Sequence, residues 1–372
     1  MSMTERYELF LVAAPGLEQD VLREAQALGL AGAEAVAGGV RAEGGWAEAW
    51  RANLELRCAS RVLIRIASFR APHLAQLDKR ARKIDWRSIL RADLPVRVEV
   101  ACKRSRIYHQ GAAAERIGRA ISETSGAALA PEAAITVKAR IEDDLCTISL
   151  DTTGEPLHRR GHKEAVGKAP LRETFAAAFL ARMGFDGSQA VVDPMCGSGT
   201  FPIEAAEIAA GLAPGRSRRF AFEDLGSFDA AAWQKMKAAR PARAPQQRFF
   251  GQDRDDGAIR MAQANAARAG LEDWTSFTRQ AISDLQRPEG PPGLVMVNPP
   301  YGARIGDRKL LFALYGTLGR VLSERFQGWR LGMVTSDPGL AKATGLDFLP
   351  GDPPLSLGGL KVGFYRTGPL GH

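Results

Sequence analysis

A chain of 372 residues exceeds what one hydrophobic core usually serves, so two or three domains are expected. Hydrophobic content of 45% and charged content of 25% describe an ordinary globular protein, and no apolar stretch reaches membrane-spanning length. The start carries an acid beside its only Arg and lacks a secretory n-region, while Cys58, Cys102, Cys146 and Cys196 stand far apart with no C-x-x-C. A zinc ribbon is thereby excluded, nothing suggests disulfides, and a cytoplasmic protein with no membrane partner is expected. The net charge of +8 is local: twelve Lys and Arg between Lys79 and Arg119 face four acids, and the remainder nets to zero. Such an excess attracts phosphates, although a solvated basic face has the same composition.

In chain order, Tyr7 to Val12 reads as a strand closed by Pro15-Gly16, and Leu17 to Leu28 has helical spacing with Gly29 as its stop. Gly38-Gly39 and Gly44-Gly45 bracket a short strand, Val40 to Ala42, giving a small α+β module. A strand at 61–67 and a basic helix from about Leu74 to Leu90 come next. Val96 to Val100 alternates strictly, as a half-buried strand does. Lys103-Arg104-Ser105-Arg106 opens a loop before a helix over 112–122, and strands over 134–142 and 146–151 flank Asp143-Asp144. Leu157 to Lys163 reads as a basic linker. His158 and His162 stand four apart, but no third metal ligand is evident, so no metal is expected.

From about residue 165 helix and strand alternate, the signature of a parallel, helix-covered sheet. The spacing predicts helices over 171–183, 202–210, 257–269 and 310–324. Strands are predicted over 190–193, 249–252, 294–297 and 330–335, with a final hairpin over 355–357 and 360–366 at the sheet edge.

Three elements carry chemistry. Asp193-Pro194-Met195-Cys196-Gly197-Ser198-Gly199-Thr200 lies between a strand and a helix, where small residues admit a ligand to the helix N-terminus. A P-loop would need Lys before Thr200, and a dinucleotide fingerprint would need glycine at Pro202. S-adenosylmethionine has no pyrophosphate and escapes both objections. Asp253, ending the next strand, can accept hydrogen bonds from both ribose hydroxyls, while a helix N-cap accounts equally well for one of Asp255 and Asp256. Asp253 lies farther beyond Asp193 than a simple fold predicts, so 211–247 reads as an insertion.

Asn298-Pro299-Pro300-Tyr301-Gly302 follows an apolar strand. An exocyclic amine is a poor nucleophile because its lone pair is delocalised into the ring. The Asn298 side-chain oxygen and a prolyl carbonyl can each accept one N–H, freeing that lone pair to face a methyl group. Consecutive prolines keep the acceptors stiff, and Tyr301 offers a stacking face for the base. Cys196 reads as a small packing residue, since amine methylation needs no thiol nucleophile.

The order of these motifs resembles the class I methyltransferases that modify amino groups. More narrowly, nearly the whole chain resembles the THUMP-containing family of RNA guanine-N2 methyltransferases, whose bacterial members include a 23S rRNA enzyme. Leu171-Arg172-Glu173-Thr174, Phe220 to Glu223, Arg104 to His109 and Asp151 to Gly161 carry the resemblance outside the core motifs. It implies an α/β protein: a ferredoxin-like part over 1–60, a THUMP RNA-binding domain over 61–158 (its core beginning as early as 45), and a Rossmann-like S-adenosylmethionine domain over 159–372. By analogy Asp193, Pro194, Cys196, Gly197, Gly199 and Thr200 line the cofactor's methionine end, Asp253 holds its ribose and Asp284 meets its adenine. Asn298, Pro299, Pro300 and Tyr301 would hold the target base, with Asn298 also beside the cofactor. Lys103, Arg104 and Arg106 would contact RNA, expected to be 23S rRNA or a ribosomal precursor. Some enzymes of this type carry a second methyltransferase domain that these 372 residues do not contain, so transfer RNA stays open. Three further readings share the motif: DNA adenine-N6 methylation, protein glutamine methylation, and a non-catalytic RNA-binding assembly factor.

Overall fold

The computed structural model describes residues 6–164, 171–301 and 308–371, and the chain divides into two compact units. The first comprises the chain through Ala13, Val21–Leu157 and Arg218–Ala239; the second comprises Ala14–Asp20, His158–Ser217 and the chain from Arg240 onward.

The first unit holds β1 (Tyr7–Val12), β2 (Ala31–Val36), β3 (Gly39–Gly44), β4 (Arg61–Arg70), β5 (Val96–Lys103), β6 (Ile135–Glu142) and β7 (Leu145–Asp151). They form one seven-stranded sheet, ordered β2-β3-β1-β4-β7-β6-β5, in which only β5 and β6 pair in parallel. Strand β4 bonds to β1 on one side and β7 on the other, so the sheet is continuous across residue 61. Helix α1 (Glu18–Ala27) follows β1, and α2 (Trp46–Glu55) follows β3, with Glu48 accepting the Gly45 N–H at 2.8 Å as a capping acid. The single helix expected from Leu74 to Leu90 is two, α3 (Leu74–Ala81) and α4 (Trp86–Ile89). The buried Trp86 indole donates to the Ala81 carbonyl at 2.9 Å, satisfying the end of α3 in place of a further helical turn. Helix α5 (Gln110–Ser125) ends at Gly126, whose φ of 84° is the left-handed stop that glycine adopts without strain.

The expected insertion contributes more to this unit than to the sheet it interrupts. Phe222, fully buried, lies 5.6 Å from Trp50, 5.2 Å from Phe220 and 5.0 Å from Trp233 between ring centroids. Trp233 belongs to α8 (Ala230–Ala238), so a segment between two strands of the second unit completes an aromatic cluster in the first.

The second unit is built on β8 (Val191–Asp193), β9 (Phe249–Asp253), β10 (Thr275–Arg279), β11 (Leu294–Val297), β12 (Arg330–Thr335), β13 (Leu355–Leu357) and β14 (Leu360–Arg366). Their order is β10-β9-β8-β11-β12-β14-β13, parallel through β12 and antiparallel in the final hairpin. The helices are α6 (Glu173–Arg182), α7 (Thr200–Ala209), α9 (Asp256–Ala269), α10 (Arg308–Arg325) and α11 (Pro338–Ala343). One core joins Val192, Val295 and Val297 of the sheet to Tyr315 and Leu318 of α10 and to Trp329. The strand order reverses at β8, which has β9 on one side and β11 on the other. In open α/β sheets the crevice beyond the carboxyl ends at such a point is where ligands bind.

The stretch expected as a basic linker has buried residues in the second unit, Arg160 and His162, beside the exposed Arg159. Arg160 pairs with Glu204 of α7 at 3.3 Å with both side chains 1% exposed, and His162 stands 3.8 Å from the buried Glu207. Glu204 of α7 draws the Arg160 guanidinium inward, while burial lowers the His162 imidazole, and spacing in the sequence reveals neither.

Candidate active site

Asp193 closes β8 with its side chain buried, and its carboxylate accepts the Met195 N–H at 3.1 Å. Burial raises its pKa well above the usual carboxylate range, and the Asp253 charge adds to this. Gly197 and Gly199 then turn the chain with φ of 50° and 85°. Gly199 is the N-cap of α7, and a Cβ there would come 3.0 Å from Ala262 and 3.1 Å from Phe277. The first turn of α7 has no acidic residue, so its unpaired N–H groups keep their attraction for an anion.

Cys196 binds this loop to β9 through its N–H, 2.9 Å from the Gln252 carbonyl. Burial and two neighbouring carboxylates push its thiol well above the ordinary range, so it stays protonated and serves as packing. Opposite it, a Cβ on Gly251 would meet Phe277 at 2.5 Å and the Cys196 Sγ at 3.0 Å, so only glycine fits. At the end of β9 the Asp253 Oδ2 accepts the Gly197 N–H at 3.1 Å, and its Oδ1 accepts the Asp255 N–H at 3.0 Å. Asp255 caps α9 by accepting the Gly257 N–H at 2.8 Å, which leaves Asp253 as the carboxylate joined to the loop. The exposed Asp284 ends a 3-10 turn, Ile282–Asp284, where its Oδ1 takes the Ser283 hydroxyl at 3.2 Å.

Asn298 leaves the carboxyl end of β11, the other strand beside β8. Its Oδ1 is buried and has no hydrogen-bond partner among the described residues. A buried carbonyl oxygen without a donor is costly and marks a place for one. Pro299 is buried, and the Pro300 carbonyl accepts the Tyr315 hydroxyl at 3.3 Å. The same hydroxyl reaches the Thr335 Oγ1 at 3.3 Å, so α10 and β12 fix the prolines from behind. Tyr301 is half-buried against the core, and Gly302 lies outside the described residues. Tyr315 was not singled out in the sequence, because nothing about an apolar helix position signals contact with the Pro300 carbonyl.

Asp193, Asp253 and Asn298 thus end the adjacent strands β8, β9 and β11, with the glycine loop among them. Close backbone approach, a helix N-terminus and a carboxylate tied to the loop fit the carboxylate-bearing tail and ribose of S-adenosylmethionine, and the orphaned Asn298 acceptor suits an N–H donor on the group that receives the methyl. A recess of about 580 Å³ between α11 and the β13–β14 hairpin, lined by Phe348 and Tyr365, includes none of these residues.

The basic loop of the first unit differs from its expected character. Lys103 pairs with Glu142 at 3.2 Å, Arg104 with Glu142 and Asp143 at 3.0 Å, and Arg106 with Asp144 at 3.8 Å. The β6–β7 turn brings three acids against three cations that look unopposed in sequence. Lys79, Arg80 and Lys83, on and just after α3, are exposed and have no ion pair among the described residues. Tyr108, beside the loop, is 79% exposed. No group of three metal-binding side chains occurs among the described residues, and no helix there is long and apolar enough to cross a membrane.

A family model described as the RMKL-like methyltransferase domain matches residues 160–347, and one described as the RlmL ferredoxin-like domain matches residues 8–63. Among solved structures, a candidate methylase from Clostridium difficile 630 is similar at TM-score 0.88 and 28% identity, covering 98% of each chain. A predicted N6-adenine-specific DNA methylase from Listeria monocytogenes str. 4b F2365 is similar at TM-score 0.86 and 29% identity, over 98% of this chain and 97% of its own. SMU.472, a methyltransferase candidate complexed with SAH, is similar at TM-score 0.86 and 28% identity over 99% of both chains. The chain belongs to the family of RMKL-like methyltransferase domains, here joined to an RlmL-type ferredoxin-like domain, and its methyl donor is S-adenosylmethionine.

Proposed function

We propose that this protein methylates the exocyclic N2 amine of a guanosine in RNA, with 23S rRNA or its precursor as substrate. The observation that carries the amine reading is the buried, unpartnered Asn298 Oδ1 on a proline-stiffened loop. With the Pro299 carbonyl it forms two acceptors for the two N–H bonds of one amino group. Bonding there draws the nitrogen towards a tetrahedral shape and directs its lone pair at the methyl. The amine loses a proton readily after transfer, so no strong base is needed and positioning supplies most of the effect, about 7–11 kcal/mol by the effective-molarity argument. S-Adenosylmethionine, when bound, supplies the electrophilic methyl.

RNA is favoured by the RlmL-type ferredoxin-like domain and by the continuous sheet that extends it. The exposed Tyr108 next to a basic loop suits an unstacked base. Lys79, Arg80 and Lys83, with no ion pair among the described residues, offer positive charge to phosphates, and Lys103, Arg104 and Arg106 can turn to them from their acidic partners. The likeness to a protein named as a DNA adenine methylase supports a second reading, because an adenine N6 amine would fit the same two acceptors. Methyl transfer from labelled S-adenosylmethionine to total RNA lacking the modification, followed by nucleoside analysis, separates them. N2-methylguanosine is expected; label confined to DNA or to protein would overturn the substrate.

A further inference from the structure

Lys163 lies outside every site assigned above, yet it is a buried cation with a full set of partners beside the glycine loop. Its ammonium has three donors and three acceptors within reach: Glu173 Oε1 at 2.9 Å, Thr200 Oγ1 at 2.8 Å and the Leu171 carbonyl at 3.2 Å. The Lys163 and Glu173 side chains are each only 8% exposed. Thr200 is the first residue of α7, immediately after the left-handed Gly199, and its hydroxyl also reaches the Leu171 carbonyl at 3.4 Å. One ammonium thus fixes the start of α6 through Glu173 and the start of α7 through Thr200.

We infer that Lys163 is a positioning residue for the cofactor: with Glu173 it clamps the first turn of α7 so that its free N–H groups stay aimed at the methionine carboxylate. The inference rests on the reading of the glycine loop as the cofactor loop. Electrostatics agree with it. An isolated lysine at this depth would be costly to bury, and Glu173 balances it, so the pair places no net charge behind the loop. A clamp at the N-terminal turn acts on the methionine end only. It touches neither Asn298 nor the loop that holds the amine, so binding of the cofactor depends on it and the transfer step does not.

The test uses the full chain, with SAH as the titrated ligand and saturating S-adenosylmethionine for turnover. Lys163→Met should raise the SAH Kd about tenfold or more, as loss of a charge-assisted hydrogen bond does, with kcat changed less than about threefold, and Thr200→Val should raise the Kd likewise. Thr200→Ser, which keeps the hydroxyl, should restore near-normal affinity. Because both side chains act through one bond, the double variant should bind no worse than the weaker single. Effects that multiply, or single variants with unchanged Kd, overturn the clamp, whatever their melting temperatures do. If Lys163→Met fails to fold, Glu173→Gln, which removes the clamp's other charge and lies outside the cofactor loop, takes its place with the same expected rise in Kd. Asp253→Ala separates the two levels of the argument. Unchanged SAH affinity there would sink the cofactor-loop reading along with the clamp. Lost affinity there, with normal affinity in the Lys163 and Thr200 variants, would sink the clamp only.

Discussion

Asp253 takes the backbone N–H of Gly197 at 3.1 Å, a bond that spans 56 positions of sequence and joins the end of β9 to the glycine loop. The carboxylate expected to hold the ribose therefore also holds the loop that would carry the methionine end. Replacing it removes a charged acceptor from both. Asp253→Ala should weaken S-adenosylmethionine binding roughly ten- to a hundredfold. Calorimetric titration checks this, and an affinity within twofold of the parent would contradict it.

Asn298→Ala should leave cofactor affinity within about twofold and reduce kcat by about 10²–10³, the range seen when one preorganised polar contact is removed from a reacting centre. Single-turnover methyl transfer with a parallel cofactor titration separates the two quantities. Lost cofactor binding in this variant would refute its assignment to the amine.

The Asp193 carboxyl, raised by burial and by the Asp253 charge, loses its proton more easily once a cationic α-ammonium stands nearby. Binding should then release a proton, so affinity should increase as pH rises through the free protein's Asp193 titration. Calorimetry in two buffers of different ionisation enthalpy reads the proton directly. Equal heats in both buffers, or an affinity that falls with pH, would contradict the scheme.

The paired loop cations make an unusual charge prediction. Glu142→Gln with Asp143→Asn and Asp144→Asn should tighten RNA binding and steepen its salt dependence, because these acids offset Lys103, Arg104 and Arg106. Neutralising the three cations should flatten the salt slope less than neutralising Lys79, Arg80 and Lys83. Filter binding across a salt series would show it, and a larger effect from the 103–106 variant would reverse the ranking.

Two histidines set the acid side of stability. Burial, aided by Arg172, pushes the His158 imidazole down to about 4, and burial lowers His162 as well. Below about pH 6.5 the unfolded chain takes up protons that the native protein refuses, so stability should fall as pH drops from about 6.5 towards 4. Urea midpoints at pH 7.5 and 5 measure this, and His158→Gln should reduce the slope. A midpoint that stays level across that range would refute it.

Short motifs with fixed chemistry were legible in the sequence, and spatial pairing was not. Asp193, Gly197, Gly199, Asp253 and Asn298 fall at strand ends because the chemistry needs small residues and acceptors there, and the alternation of helix and strand gave the parallel sheet. Strand β2 was missed because its Ala and Gly residues bury little, and β10 because Thr and Arg dilute its pattern. Helix α2 carries a readable cap in Gly45 and Glu48, but in the sequence Gly44-Gly45 reads as the close of the preceding strand. The Lys103–Arg106 loop failed differently: its opposing acids sit on β6 and its turn, and only the fold brings them near. Lys163 reads as linker in the sequence because its partners Glu173 and Thr200 lie on two later helices.

The Phe222 cluster has a consequence for synthesis. The last sheet strand of the first unit ends at Asp151, yet the aromatic cluster that packs on Trp50, with Phe222, Phe228 and Trp233, is complete only when the unit's last segment, ending at Ala239, has left the ribosome. At ordinary elongation rates that delay is roughly 4–18 s. For that interval the nascent chain holds a nearly finished sheet beside an uncovered indole, so it should attract chaperones late in synthesis, and a stall before residue 239 should expose it to proteolysis.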